Sequence, residues 1–137
     1  MRKSASIISV TLLTSNTSAV LSQETSRKVL DALIACLDDY TVDQRGDVGS
    51  WVRLAALTAL RHFVEQHVAH MSDVEELSRR ISQEDLNRIL AGVLKQTAER
   101  IDAVREHAGA QLVAIRKCGP NLPAFEGEAL LEEALPM

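Results

Sequence analysis

A polar loop that contains two glycines leads directly into a long apolar helix, and this junction constrains the fold more than any other feature. Residues 36–53 read Cys-Leu-Asp-Asp-Tyr-Thr-Val-Asp-Gln-Arg-Gly-Asp-Val-Gly-Ser-Trp-Val-Arg. Asp and Gly are typical of turns and helix ends, so we expect a loop over 38–49 and a helix that continues to about residue 70. Arg53 falls on the apolar face of that helix and therefore needs a partner for its charge. We predict a structural pair between Arg53 and Asp47, and a loss of roughly 1–3 kcal/mol when Arg53 is replaced by alanine.

Helical periodicity extends over most of the chain. Hydrophobic residues make up 46% of the sequence and aromatic residues only 3%, a composition that suits close packing of helices better than sheets. The periodic stretch that begins at Ser82 is about 35 residues long, which is long for one helix. A break near residues 97–102 is therefore expected, with a single long helix as the alternative. The predicted helices cover 22–36, 50–70, 82–97, 102–118 and 126–135, and residues 72–80 are expected to form a short helical or turn segment.

The helix that follows the loop has a partial copy later in the chain. The positions Asp47, Val52, Arg53, Ala56 and Leu60 are matched at one constant offset by Glu99, Val104, Arg105, Ala108 and Leu112. In each half an amphipathic helix precedes the Val-Arg helix, which is the pattern of a HEAT-type repeat. A single helix pair cannot bury its apolar face alone, and stacked pairs can. We therefore predict an all-α protein, an α-solenoid of the HEAT or armadillo-like kind, with about two helix pairs and partial flanking helices.

The predicted organisation has four parts. Residues 1–21 form an uncertain N-terminal segment, 22–70 a first HEAT-like repeat with the acidic loop 38–49, 71–118 a second helix pair, and 119–137 a linker and the start of an acidic helix.

Composition also excludes several classes of function. The net charge of −4 argues against nucleic-acid binding, and the longest apolar runs are too short for a membrane span. Residues 1–20 resemble a signal peptide only faintly, because Ser, Thr and Asn interrupt the apolar core, and secretion is not expected. The run 7–14 fits either a strand or a short helical segment, of which we prefer the helical segment.

Three histidines on the second helix raise the question of a metal site. His62, His67 and His70 lie on one helix, and His67 and His70 could share a face. No third ligand with matching spacing accompanies them, so a solvated edge near the helix C-terminus is the preferred interpretation. A metal-dependent hydrolase built on this cluster is the enzyme alternative. We predict no catalytic residue, no cofactor and no metal.

The acidic loop supplies the candidates for contact with a partner protein. Its aspartates do not have the spacing of a calcium-binding EF-hand, so helix capping and a role in holding Arg53 are preferred over an acidic contact surface. Trp51, the only tryptophan, lies off the main apolar arc of its helix. Packing between repeats is preferred for it over a role as an exposed anchor. The candidates for a partner surface are Asp38, Asp39, Tyr40, Arg45 and Trp51.

Residues 37–53, followed by Ala55-Ala56-Leu57, closely resemble a segment of the tubulin-folding cofactor D family. That family carries a DDYT-x-D-x-RGDVG-[ST]-WVR stretch within its array of HEAT repeats, and the Trp, Tyr and Gly positions exceed what a repeat consensus requires. Residues 98–102, 105 and 107–108 and the final Leu131-Glu-x-x-Leu-Pro look like the continuation of the same family pattern. The resemblance implies a fragment of that array.

The resemblance also implies a function that residue spacing does not reveal. Members of this family are large cytosolic α-solenoids that capture β-tubulin and help to assemble or dissociate the αβ-tubulin heterodimer. They work with other tubulin-folding cofactors and an Arf-like small GTPase, and they are associated with GTPase activation. We therefore expect a cytoplasmic, microtubule cytoskeleton-associated chaperone scaffold without catalytic residues. A generic HEAT or armadillo-type adaptor with a different protein partner is the alternative.

Overall fold

The computed structural model describes residues 22–70, 73–119 and 122–136. These residues form helices and one short hairpin, so the mainly helical class is confirmed. The expectations for residues 1–21, including the run 7–14, lie outside the described residues. The elements are α1 (Gln23–Cys36), β1 (Val42–Asp43), β2 (Gly46–Asp47), α2 (Gly49–His70), α3 (Val74–Arg80), α4 (Gln83–Thr97), α5 (Asp102–Arg116) and α6 (Glu128–Ala134).

Side-chain caps fix where the helices begin. The Ser22 hydroxyl accepts a hydrogen bond from the backbone N–H of Thr25 at 3.2 Å. Before α4, Ser82 and Asp85 form a reciprocal capping box, in which each side chain accepts from the other's backbone N–H. Such caps satisfy backbone donors that have no partner within the helix. The predicted break after residue 97 is also present, because α4 ends at Thr97 and α5 begins at Asp102.

Helix α2 lies at the centre of the fold and packs against both α1 and α5. Its apolar residues cover more than one face, and Ala56, Ala59 and Leu60 have no exposed surface. A helix that is apolar over so much of its circumference needs more than one neighbour. The remaining core comes mainly from α1, α4 and α5, including Leu30, Leu33, Ile89, Val93, Val104, Ala108, Leu112 and Ile115.

Polar contacts between the two helix pairs show how the pairs are oriented. Along α1 and the turn after it, Arg27 pairs with Asp85, Asp31 with Arg88 and Asp38 with Lys95. The residue numbers rise together, so α1 and α4 run side by side in the same direction. Between α2 and α5, Thr58 contacts His107 and Arg61 contacts Gln111, again with rising numbers. The second helix pair therefore lies beside the first in the same orientation.

The expected loop over residues 38–49 contains a hairpin that the sequence did not indicate. Val42 pairs with Asp47, and Asp43 pairs with Gly46, in an antiparallel register. The Asp43 carboxylate accepts from the backbone N–H of Arg45 at 2.7 Å, which closes the turn. Gly46 has a φ of 106°, a conformation that favours glycine. Two-residue strands are too short to produce a recognisable alternation of apolar and polar residues.

Candidate functional site

Arg53 lies at the centre of a polar cluster where the hairpin meets the helices. Its side chain has no exposed surface. Nη2 forms an ion pair with Asp47 Oδ2 at 3.2 Å, and Nη1 donates to the backbone carbonyl of Asp39 at 2.8 Å. Nε donates to Gln96 Oε1 on α4 at 3.1 Å. The guanidinium thus contacts its own loop and the second helix pair at the same time.

Tyr40 and Glu99 complete this cluster, which we call the Arg53 junction (Asp39, Tyr40, Asp47, Arg53, Gln96 and Glu99). The Arg53 guanidinium lies 4.1 Å from the centre of the Tyr40 ring, within the range of a cation–π contact. The Tyr40 hydroxyl donates to Glu99 Oε1 at 2.9 Å and accepts from Gln96 Nε2 at 3.1 Å. Glu99 Oε2 lies 3.8 Å from Arg53 Nη2. The junction therefore connects the hairpin, α2 and the corner between α4 and α5.

The contact between Asp47 and Arg53 that the sequence predicts is present in the structure. Gln96 and Glu99 are further partners of Arg53, which the sequence does not reveal. The internal repeat matches Glu99 to Asp47, and this match indicates that Glu99 has an arginine partner. By analogy, however, the predicted partner is Arg105 and not Arg53. Arg105 is exposed and contacts Asp102 and the backbone carbonyl of Glu99. Only the first of the two matched arginines is buried.

The acidic surface candidates have different environments. Asp39 was expected at the surface, and this expectation is wrong, because only 6% of the residue is exposed. Its carboxylate accepts from the backbone N–H and the hydroxyl of Thr41, at 3.0 and 2.6 Å, so the side chain stabilises the turn before β1. Asp38 is exposed and forms an ion pair with Lys95 at 3.1 Å, and the hydrogen bond to Asp38 raises the pKa of Lys95.

Arg45, in the turn of the hairpin, and Trp51, in the first turn of α2, form an exposed cation–π contact. Trp51 is 53% exposed, so its preferred placement between repeats does not hold for the described residues. The Arg45 guanidinium carbon lies 5.4 Å from the centre of the Trp51 ring. Asp43 holds Arg45 through an ion pair at 2.7 Å, and the hydrogen bonds from Arg45 lower the pKa of Asp43. We call Asp43, Arg45 and Trp51 the tryptophan platform.

The three histidines of α2 do not converge on a common point. His67 is buried, its Nδ1 donates to the Phe63 carbonyl at 2.8 Å, and its Nε2 lies 3.3 Å from the Ser26 hydroxyl. Burial lowers the pKa of His67 below its ordinary value of 6.5. His62 and His70 contact other neighbours, on α2 itself. Within 22–70, 73–119 and 122–136, no group of three or more His, Cys, Asp or Glu side chains is placed to hold a metal ion.

The described helices also lack a membrane-spanning candidate. None of them combines the length and the apolar character that a bilayer crossing requires.

Comparison with known proteins links the chain to tubulin-folding cofactor D. A family model described as "Tubulin folding cofactor D C terminal" matches residues 87–137. The Schizosaccharomyces pombe protein named "Tubulin-folding cofactor D" is 26% identical over 124 aligned residues, which cover 80% of this chain and 10% of that protein. This chain therefore spans about a tenth of the length of that relative. No solved structure matches the chain.

The family model and the yeast relative differ in how much of the sequence they cover. The family model begins within α4 and takes in α5 and α6, whereas the motif that first indicated the family, residues 37–53, precedes it. The yeast relative aligns with most of the chain. The predicted resemblance of this chain to the tubulin-folding cofactor D family is therefore confirmed.

Proposed function

We propose that this chain is a protein-binding segment of an α-solenoid scaffold that acts in tubulin folding. The name of its yeast relative supplies the tubulin-folding role. The finer proposal is that the segment serves a cytoplasmic, microtubule cytoskeleton-associated chaperone. That chaperone captures β-tubulin, assembles and disassembles the αβ-tubulin heterodimer, and works with other tubulin-folding cofactors and an Arf-like small GTPase in GTPase activation.

The orientation of the helix pairs supports the scaffold part of this proposal. In a solenoid each repeat contacts its neighbours in a constant relative orientation. Here α1 and α4 run in the same direction, as do α2 and α5. The Arg53 junction adds a polar connection between the two pairs. An array of this kind presents side chains from its loops on a stable surface.

The observation that carries the binding part of the proposal is the tryptophan platform. Trp and Arg are enriched among the residues that dominate the energy of protein interfaces. Trp51 remains half exposed although it lies in the first turn of a helix with a buried face, and Asp43 holds Arg45 against its ring. Because the hairpin itself is fixed by the Arg53 junction, little side-chain freedom remains to be lost on binding. We therefore place the tubulin contact at this platform.

A binding assay with purified αβ-tubulin tests this function. The chain is immobilised and its affinity for tubulin is compared with that of the variant Trp51→Ala. Loss of an interface tryptophan costs about 2 kcal/mol or more, so we expect the Kd to rise by a factor of roughly 30. The matched control is Leu130→Ala, which removes another exposed apolar side chain, 72% exposed, far along the chain on α6. This control should leave the Kd unchanged.

Circular dichroism run beside the assay separates the possible results. A helical wild-type chain that does not bind tubulin would contradict the proposal and favour the adaptor with another protein partner. Equal losses in Trp51→Ala and Leu130→Ala would contradict the assignment of the contact to the platform.

A further inference from the structure

Glu99, in the corner between α4 and α5, contacts a tyrosine of the loop that joins α1 to α2. Its Oε1 accepts from the Tyr40 hydroxyl at 2.9 Å, and its side chain is only 17% exposed. Arg53 has a nearer carboxylate than Glu99, because Asp47 lies at 3.2 Å and Glu99 at 3.8 Å from the same Nη2 atom. The contact of Glu99 with Tyr40 is therefore shorter than its contact with Arg53, and it crosses from one helix pair to the other.

Tyr40 comes immediately before the hairpin, and its hydroxyl contacts the second helix pair at two points. Besides donating to Glu99, the hydroxyl accepts from Gln96 Nε2 of α4 at 3.1 Å. On the other side, the carbonyl of the next residue, Thr41, accepts from the backbone N–H of Gly49 at 2.9 Å, at the start of α2. The base of the hairpin is thus held between α2 and the second helix pair.

The hairpin depends on contacts of this kind because it has no apolar core of its own. Its strands have two residues each, and Val42 is 70% exposed. A two-stranded hairpin is at best marginally stable by itself. Its turn nevertheless carries Arg45, whose guanidinium carbon lies 5.4 Å from the centre of the Trp51 ring on α2. The position of Arg45 over Trp51 therefore depends on where the hairpin is held.

We infer that Glu99 is a positioning residue for the tryptophan platform. It acts through the Tyr40 hydroxyl, which holds the hairpin so that Arg45 lies against Trp51. The consequence for a partner rests on the proposed function, because a protein that binds the platform binds better when the second helix pair holds Tyr40. This coupling is reciprocal, so a bound partner strengthens the contact between Tyr40 and Glu99, and with it the contact between the two helix pairs.

Acrylamide quenching of Trp51 fluorescence tests the inference without any partner, since Trp51 is the only tryptophan. Arg45→Ala uncovers one face of the ring and should raise the quenching constant, which calibrates the measurement. Tyr40→Phe removes the hydroxyl and Glu99→Ala removes its acceptor, so each should raise the constant towards the Arg45→Ala value. The double variant should reach no higher value than the single variants, because both break the same hydrogen bond. Glu99→Gln keeps an oxygen that can accept from the hydroxyl and should retain the wild-type constant.

The matched control is Glu106→Ala, which removes an exposed glutamate from α5 and should leave the quenching constant unchanged. Circular dichroism checks that each variant is helical, and Tyr40→Phe, which keeps the ring beside Arg53, decides the matter if Glu99→Ala does not fold. Wild-type quenching in a helical Glu99→Ala overturns the inference, as does an equal rise in Glu106→Ala. Wild-type quenching in Arg45→Ala also overturns it, because Arg45 then does not shield the ring.

The tubulin affinity of the same variants tests the consequence for a partner. Glu99→Ala should raise the Kd for αβ-tubulin about fivefold or more, whereas Glu99→Gln and Glu106→Ala should leave it unchanged. An unchanged Kd in Glu99→Ala contradicts the coupling. A wild-type chain that binds no tubulin contradicts the proposed function, and the quenching series then still decides whether Glu99 positions the hairpin.

Discussion

Arg53 is a cation without access to solvent, and its donors are divided between two parts of the fold. The hairpin supplies Asp47, the turn before it supplies the carbonyl of Asp39, and α4 supplies Gln96. Removing the guanidinium leaves the Asp39 carbonyl and the Gln96 side chain buried without this donor and leaves the partly buried Asp47 without its cation, which costs more than the contacts themselves contribute. Arg53→Ala should therefore reduce the free energy of unfolding by about 3 kcal/mol, as measured by urea denaturation.

Arg105→Ala is the matched control for this substitution, because the internal repeat pairs the two arginines. Arg105 is exposed, and truncation of an exposed side chain of this kind should change stability by no more than about 0.5 kcal/mol. Equal effects of the two substitutions would contradict the role assigned to the Arg53 junction.

His67 makes stability depend on pH in a defined direction. Burial, together with the positive charge of Arg80 and the neighbouring His70, lowers the pKa of His67 in the folded state. In the unfolded chain the His67 imidazole has an ordinary pKa near 6.5. The unfolded chain therefore binds a proton more readily at this position than the folded chain does. The contribution of neutral His67 to the free energy of unfolding is fully present above the pKa of the unfolded state. It is lost as the pH falls from there towards the lower pKa of the folded state. Protonated Nε2 can no longer accept from Ser26.

Unfolding free energies measured between pH 7.5 and 5 in about half-unit steps test this dependence. The wild-type chain should become less stable as the pH falls, and His67→Gln should show a shallower decline. His107, whose pKa burial also lowers, should maintain part of the slope in that variant. The control His62→Gln changes another histidine of α2 and should retain the wild-type slope. Parallel curves for all three proteins would contradict this assignment.

At the scale of elements, the hairpin depends on a close approach at Gly49. The Gly49 N–H donates to the Thr41 carbonyl at 2.9 Å. A Cβ atom at this position would meet the backbone carbonyl of Asp39 and lie 2.7 Å from the backbone nitrogen of Thr41. Backbone atoms cannot rotate away as a side chain can, so Gly49→Ala should destabilise the fold by roughly 1–3 kcal/mol.

Gly109→Ala is the opposite case and serves as the control. Gly109 lies inside α5, and nothing comes within 4 Å of an added Cβ. Because glycine is a poor helix former, alanine there should stabilise the protein by about 0.5–1 kcal/mol. Thermal unfolding of both variants gives the comparison, and a stabilising Gly49→Ala would show that the turn before β1 is free to move.

The elements that the sequence predicts well are those set by local chemistry. Ser22 and the pair Ser82 and Asp85 act on backbone N–H groups within their own first turn, so a short window of sequence contains all the required information. The hairpin was missed because its strands have only two residues each. Its register depends on the turn at Asp43 and Gly46, whose residue types fit several turns equally well.

The sequence predicts only part of the candidate site, because some of the residues that meet there are far apart along the chain. The pair of Asp47 and Arg53 spans six residues and follows from the helix face. Gln96 lies 43 residues from Arg53, and periodicity does not reveal which side chains meet across two packed helices. The burial of Asp39 was missed for another reason, since its acidic character suggested the surface. A short side chain that caps its own turn through Thr41 can be buried without an unpaired charge.

At the scale of the whole molecule, α2 makes the two helix pairs interdependent. It buries Leu57 and Phe63 completely and has α1 on one side and α5 on the other. Neither pair retains a full apolar environment when the other unfolds, which is the condition for coupling between neighbouring repeats. The chain should therefore unfold in one cooperative transition.

Leu112→Ala tests this coupling, because the tryptophan reports on one helix pair and the substitution perturbs the other. Trp51 is the only tryptophan and lies on α2, whereas Leu112 is a core residue of α5 that is 2% exposed. The cavity should reduce the unfolding free energy by about 2–5 kcal/mol. If the pairs are coupled, the urea midpoint from Trp51 fluorescence and that from circular dichroism shift equally. A fluorescence midpoint that stays at its wild-type value while the dichroism midpoint falls would mean that the second pair unfolds alone, and the Arg53 junction would then be too weak to join the two.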